Sequence, residues 1–64
     1  MVTKEEFEEM WNENIDSVKE IKLMSGDVVS ADGFHIVSES VELTGGDWII
    51  GRFLLNNIRT IEND

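Results

Sequence analysis

The sequence predicts a mainly β domain in which one N-terminal α-helix precedes five short antiparallel strands that form a small, strongly bent barrel. Three observations lead to this prediction. An amphipathic pattern of helical period covers residues 3–17. Short apolar or alternating stretches follow one another through residues 18–62. Glycine, serine and asparagine clusters separate these stretches at close intervals, which is typical of tight turns between antiparallel strands.

The predicted helix begins at a capping motif. Thr3 is followed three residues later by Glu6, a spacing at which both side chains satisfy free backbone N–H groups at a helix start. Apolar residues at spacings of four, four and three then form one stripe: Phe7, Trp11, Ile15 and Val18. The opposite face carries glutamates near the positive end of the helix dipole. This acidic face is interpreted as a solvated surface, with docking of a partner as the alternative.

The five predicted strands are short and fill most of the remaining chain. They cover residues 19–24, 28–37, 41–44, 48–55 and 58–62, and the second of them is bent at Gly33. Gly45-Gly46-Asp47 is the strongest turn signal in the chain. Asn56-Asn57 is predicted to be the turn of a tight hairpin, in which Leu54 pairs with Arg59. Residues 63–64 are a tail, and residues 1–64 form one domain.

The strand predicted at Trp48–Leu55 has apolar side chains on both faces. Strict alternation points Ile49, Phe53 and Leu55 one way. It points the other three apolar residues the opposite way: Trp48, Ile50 and Leu54. A single small domain covers one such face with its own core, so the second face needs another layer or another copy of the chain.

Composition supports assembly as the means of stabilisation. A chain of 64 residues is near the size at which one core gives marginal stability. It contains no cysteine, and His35 is its single histidine, so disulfides and a structural zinc are excluded. The sequence therefore predicts a homo-oligomer formed through the strands of Trp48–Ile61, with no cofactor and no metal.

The net charge of −9 limits the classes of partner. Nucleic-acid binding relies on lysine and arginine replacing the counterions of phosphates, so this chain is a poor general polyanion binder. The charge suits a basic protein surface instead. The acidic N-terminus and the absence of a long apolar run predict a cytoplasmic protein that does not bind membranes.

Catalytic and ligand-binding patterns are sparse. His35 has no nucleophile beside it in the sequence, and the carboxylates lack the spacing of a calcium loop, so an enzyme is not expected. If Asn56-Asn57 is a hairpin turn, Arg52 and Arg59 share a face with Trp48. These side chains, with Leu54, are either a phosphate and base site or an interface in which the arginines pair with acidic neighbours.

Two short motifs resemble the Sm-like (Lsm) family of five-stranded barrels. Leu23–Gly26 match an early L-x-x-G turn, and residues 53–58, FLLNNI, loosely match the short turn between the last two strands. The resemblance implies rings that pair these two strands between subunits. The chain departs from the family at Ala31, at Asn56 and in HIVSESV, which replaces the base-binding loop. A general SH3-like barrel fits nearly as well.

Three functional hypotheses follow. The preferred one is a small acidic homo-oligomer that inhibits or regulates a protein partner, including a phage-type inhibitor or DNA mimic that blocks a nucleic-acid-binding protein. The second is an Sm-like binder that sequesters a nucleotide or short RNA at Arg52 and Arg59 between subunits. The third is a structural assembly subunit.

Overall fold

The structure, a computed structural model, describes residues 2–63 and contains one helix and six strands. The elements are α1 (Lys4–Glu13), β1 (Lys19–Leu23), β2 (Val28–Ala31), β3 (Gly33–Val37), β4 (Ser40–Gly45), β5 (Trp48–Leu54) and β6 (Ile58–Asn63). One turn of 3₁₀ helix, Leu55–Asn57, joins β5 to β6. The predicted class, mainly β with one N-terminal helix, is confirmed. Asn63 belongs to β6 and not to a tail, while Asp64 lies outside the described residues.

The strands form two antiparallel sheets of three strands, in the orders β2-β1-β6 and β3-β4-β5. In the first sheet Ile21 lies opposite Val29 on one side and Ile61 on the other. In the second sheet Val41 lies between Ile36 and Phe53. The prediction of one five-stranded barrel is therefore wrong in its strand number and in its single sheet.

Asp32 accounts for the extra strand, because it interrupts the long strand predicted over residues 28–37. Its backbone N–H donates to the carbonyl of Thr44 at 2.9 Å. Its carboxylate accepts from the N–H of Gly46 at 2.9 Å. Gly46 has a φ of 62°, which suits glycine in the tight turn between β4 and β5. These two hydrogen bonds attach the end of β2 to the second sheet, and the chain changes sheet at this residue.

The core lies between the two sheets and α1. The buried apolar residues are Phe7, Ile21, Leu23, Ala31, Val41, Leu43, Leu55, Ile58 and Ile61. Burial alternates along β1 and β4, as the period of a half-buried strand requires. A fully buried side chain such as Ile21 or Leu43 contributes roughly 1.5–3 kcal/mol through removal from water.

The helix ends at Glu13, so its predicted extension to residue 17 is wrong. In a continuing helix, the backbone N–H of Asn14 would donate to the carbonyl of Met10. The side-chain amide of Asn14 donates to that carbonyl instead, at 2.7 Å. The same amide donates to the carbonyl of Ile61 at 3.2 Å and fixes the helix end to β6. Beyond this point Ile15 is 90% exposed and belongs to no apolar stripe.

An aromatic cluster holds α1 against the second sheet. Phe7 meets the ring of Phe34 edge-on, with centroids 5.0 Å apart, and Trp11 lies 4.8 Å from the same ring. The ammonium group of the buried Lys19 lies 4.6 Å from the centroid of Trp11. It also donates to the carbonyl of Asp16, so this buried charge has both a hydrogen bond and a cation–π contact.

The capping box at the start of α1 predicts a pH-dependent contribution to stability. The pKa of Glu6 lies below its ordinary value because its carboxylate accepts from the backbone N–H of Thr3 and, secondly, interacts with the Thr3 side chain. A carboxyl with a lowered folded-state pKa stabilises the fold above its unfolded-state pKa. That stabilisation is lost as the pH falls through the folded-state pKa.

We therefore expect the free energy of unfolding of wild type to exceed that of Glu6→Gln most clearly near neutral pH. The difference should shrink as the pH falls into the acid range. Urea denaturation at a series of pH values measures this difference. Glu9→Gln is the control, because it removes the same charge from the exposed side of the same helix outside the cap. A Glu6→Gln effect that does not vary with pH would contradict the assignment.

Candidate functional site at the edge of the second sheet

β5 forms an edge of the second sheet. Its hydrogen-bonded neighbour is β4, with Phe53 opposite Val41 and Gly51 opposite Leu43. Because β5 is last in the order β3-β4-β5, its other side pairs with no strand within residues 2–63. An edge strand presents unpaired backbone N–H and C=O groups, which are a template for pairing with another chain.

The side chains of this edge are unusually apolar for an exposed position. Trp48 is 80% exposed, Ile49 65%, Leu54 58% and Ile50 44%. We call these four residues the β5 patch. The sequence predicts that Trp48, Ile50 and Leu54 point away from the core of their own chain. All three are exposed in the structure, and α1 does not cover them.

Ile49 differs from its prediction, because strict alternation placed it on the core side with Phe53 and Leu55. The register shifts within the pairing of β4 and β5: Gly51 lies opposite Leu43, whereas Ile49 lies opposite Thr44. Ile50 is therefore an extra residue, a β-bulge that resets the alternation. As a result Ile49 joins the exposed patch, while Phe53 and Leu55 pack on the core.

The sequence contains a signal for this bulge that strict alternation does not use. An isolated glycine in a strand pattern often marks a bulge or a close contact, and Gly51 is such a residue. In the structure a Cβ on Gly51 would lie 3.1 Å from Cζ of Phe53. The ring of Phe53 thus occupies the space that a side chain at position 51 would need.

Arg52 is held by an ion pair across the strands. It lies opposite Glu42 on β4, and its Nη2 is 2.7 Å from Oε2 of that residue. The Arg52 side chain remains 59% exposed, so the pair contributes roughly 0–1 kcal/mol. The main effect of Glu42 is to neutralise the single charge of β5.

The predicted hairpin between β5 and β6 is wrong. The turn Leu55–Asn57 sends the chain into the other sheet, so Leu54 does not pair with Arg59. This turn is fixed at both ends. The N–H of Leu55 donates to the carbonyl of Glu39, and the carbonyl of Asn57 accepts from the N–H of Met24, both at 2.8 Å.

Arg59 lies apart from the other predicted site residues, on the exposed side of β6. It is itself a bulge residue, since Ile58 pairs with Leu23 and Thr60 with Lys22. It borders a groove of about 340 Å³ between α1 and β6. The groove is lined by Val2, Glu6, Glu9, Met10, Glu13 and Arg59. Three carboxylates beside one guanidinium oppose the binding of a phosphate.

A second groove lies between the start of α1 and the end of β5. It has a volume of about 340 Å³, and its lining includes Thr3, Lys4, Glu39 and Leu54. Leu54 therefore belongs both to the β5 patch and to the rim of this groove. The mixed lining places no group of like charges or reactive side chains together.

Residues 2–63 contain no cluster of three or more histidines, cysteines or carboxylates that could hold a metal ion. His35 is exposed on β3, opposite Glu42. Within the same residues, no helix has the length and apolar character needed to cross a membrane.

Comparison with known proteins finds no family model, curated protein or solved structure that matches this chain. The resemblance to Sm-like proteins therefore stays a prediction from two short motifs.

Proposed function

We propose that this protein is a non-enzymatic, acidic binding protein that associates with itself through the β5 patch and regulates or inhibits a basic protein partner. The exposure of the β5 patch is the observation that carries the proposal. The four side chains expose on the order of 400 Å² of apolar surface. The whole chain exposes 4180 Å². Four large apolar side chains left exposed on one unpaired strand favour an interaction site there.

β5 lacks the sequence features that usually prevent an edge strand from pairing with another chain. Proteins usually block an edge strand with charges, with proline or with a covering loop. Trp48–Leu54 contain no proline and no acidic residue, and the charge of Arg52 is neutralised by Glu42. Pairing of this strand with another chain would satisfy its free backbone groups and remove the β5 patch from water.

The acidic surface supports the second half of the proposal. The chain carries fourteen acidic residues against five lysines and arginines. Four of the acidic residues are exposed on α1: Glu5, Glu6, Glu9 and Glu13. The start of α1 borders the groove beside Leu54, but Glu9 and Glu13 line the groove on the β6 side, so self-association through β5 leaves these two carboxylates available. A surface of this sign attracts basic proteins and accelerates their association.

The alternative function, capture of a nucleotide or short RNA by Arg52 and Arg59, has less support. Arg52 is already bonded to Glu42, and Arg59 borders a groove with three glutamates. The two arginines also lie on strands of different sheets. A phosphate would have to displace one carboxylate and approach the others.

Light scattering coupled to size-exclusion chromatography tests self-association. The chain has a mass of 7.3 kDa, and we expect a larger mass that rises with protein concentration from micromolar to millimolar. A mass of 7.3 kDa over the whole range would refute the proposal.

Two double variants that each remove two negative charges test whether α1 is the docking surface for a basic partner. We expect Glu5→Gln/Glu9→Gln to weaken binding of decalysine, used as a basic probe, by about threefold or more. Glu39→Gln/Asp47→Asn removes the same charge from exposed turns and should have a smaller effect. Isothermal titration at low salt measures both affinities. Equal losses would show that only net charge matters and that α1 is not the docking surface.

A further inference from the structure

We infer that Asp32 is a modification site: it isomerises spontaneously to isoaspartate in a reaction with Gly33, and this change opens the junction between the two sheets. Asp32 lies in the bend between β2 and β3, where the chain passes from one sheet to the other. The reaction requires no partner chain, so it is independent of the proposed binding function.

The reacting atoms belong to neighbouring residues. The backbone nitrogen of Gly33 attacks Cγ of Asp32, so an N–Cγ bond forms and a C–O bond of the carboxyl group breaks. The departing oxygen leaves as water with the amide proton and the carboxyl proton, and a five-membered succinimide ring remains. Attack within one molecule is favoured because the two groups are already held close together.

Water opens the succinimide ring in one of two directions, and no oxidant or reductant is needed. Water that adds at Cγ restores aspartate. Water that adds at the former main-chain carbonyl carbon breaks its bond to the Gly33 nitrogen and gives isoaspartate. The main chain then runs through Cβ and Cγ, so it is one carbon longer, and the side chain that carries the free carboxylate is one carbon shorter.

Asp32 is the aspartate at which this reaction should be fastest. A side chain on the following residue hinders attack by its nitrogen, and glycine has no side chain. Asp32-Gly33 is the one Asp-Gly pair in the sequence, and no asparagine precedes a glycine. The other internal aspartates precede residues with side chains, in Asp16-Ser17, Asp27-Val28 and Asp47-Trp48.

The fold depends on both members of this labile pair. The carboxylate of Asp32 accepts from the N–H of Gly46 at 2.9 Å. A Cβ at position 33 would lie 2.7 Å from Oγ1 of Thr44, so a side chain there would force Thr44 to move. A substitution that protects Asp32 from attack would therefore disturb the junction that Asp32 and Gly33 form.

The native state slows the reaction without preventing it. Asp32 is exposed and lies outside the strands, and its hydrogen bond to Gly46 is also exposed. A hydrogen bond of this kind breaks locally, without global unfolding. Its net stabilisation corresponds to roughly a tenfold preference for the closed form, so the carboxyl group is free for a fraction of the time.

Isoaspartate removes the contacts that join the two sheets at this point. The shortened carboxylate no longer reaches the N–H of Gly46. The Asp32 N–H donates to the carbonyl of Thr44, and Gly33 lies opposite the same residue. An additional main-chain carbon between Asp32 and Gly33 is incompatible with both contacts at once. The turn between β4 and β5 therefore loses the bond that holds Gly46.

Prolonged incubation of the wild-type protein near neutral pH tests the modification site. Isoaspartate has the same mass as aspartate, but a protease that cleaves before aspartate does not cleave before isoaspartate. We expect uncleaved peptide to accumulate at Asp32 about tenfold more slowly in the native chain than in guanidinium chloride. Isoaspartate that appears equally at Asp16, Asp27 or Asp47, or that never forms in the native chain, would overturn the assignment.

Asp32→Glu and Asp47→Glu are the matched variants for this reaction. The glutamate side chain is one carbon longer, so attack would have to close a six-membered ring, which is much slower. Asp32→Glu should therefore abolish the modification, whereas Asp47→Glu, in an exposed turn, should keep the wild-type rate. Both variants are also compared in guanidinium chloride, where the folding of Asp32→Glu does not matter. Equal rates in the two variants would contradict attack at Asp32.

The effect on the junction is measured on the isoaspartyl form after its chromatographic separation. We expect this form to melt at a lower temperature than the unmodified chain and its Gly46 amide to exchange faster with solvent. An isoaspartyl form with the melting temperature and the Gly46 exchange rate of the unmodified chain would overturn the opening of the junction.

Discussion

Phe7→Ala should leave a large fraction of the chain unfolded at room temperature. The side chain of Phe7 is fully buried and touches the rings of both Trp11 and Phe34. Truncation of a buried phenylalanine costs about 3–5 kcal/mol, because it removes apolar contacts and leaves a cavity. A domain of this length has a total stability of only about 3–10 kcal/mol, so the loss is comparable with the whole. Urea denaturation followed by circular dichroism measures the change.

Ile15→Ala is the matched control for the helix region. Ile15 lies on the stripe that the sequence predicts, but it is 90% exposed beyond the end of α1. Its truncation should change the free energy of unfolding by less than about 0.5 kcal/mol. Similar losses for Phe7→Ala and Ile15→Ala would contradict the end of the helix at Glu13.

Trp48→Ala should weaken self-association by about 30-fold or more while the monomer keeps its stability. A tryptophan that becomes buried in an interface is a common hot spot, and its truncation costs about 2 kcal/mol or more. In the isolated chain Trp48 is 80% exposed, so its removal costs little folding free energy. Analytical ultracentrifugation gives the dissociation constant for self-association, and thermal denaturation at low concentration gives the monomer stability.

Met24→Ala is the control for this second prediction. Met24 is also an exposed apolar residue, at 60%, but it lies in the turn after β1. Its truncation should leave the dissociation constant unchanged. A Trp48→Ala variant that unfolds would place Trp48 in the core. A variant that associates like wild type would show that the β5 patch is not part of the interface.

Much of the fold could be predicted from local patterns. The Thr3 and Glu6 capping box, the inward residues of β1 and the turn at Gly46 all depend on neighbours in sequence. The end of α1 could not be predicted in this way, because the Asn14 amide that ends it also bonds Ile61, which is distant in the chain. The interruption at Asp32 has the same origin, since its partners Thr44 and Gly46 come from another hairpin.

Part of the candidate site could also be predicted from local sequence, while the rest depends on contacts between distant residues. An excess of apolar residues over available core is a property of composition, so Trp48, Ile50 and Leu54 could be selected from sequence. The exposure of Ile49 depends on a bulge that strict alternation does not anticipate. The separation of Arg59 from Arg52 depends on the Leu55–Asn57 turn, which changes sheet where Asn56-Asn57 suggested a hairpin.

The contrast between the two tryptophans gives this protein a pair of natural optical reporters. Trp11 lies against Phe34 and the ammonium group of Lys19, whereas the indole of Trp48 faces water. Their fluorescence should therefore differ in emission wavelength, and acrylamide, a neutral quencher, should reach Trp48 first. Iodide is less suitable, because an anion is repelled by a net charge of −9. Folding and association can thus be followed by separate intrinsic signals in the unlabelled chain.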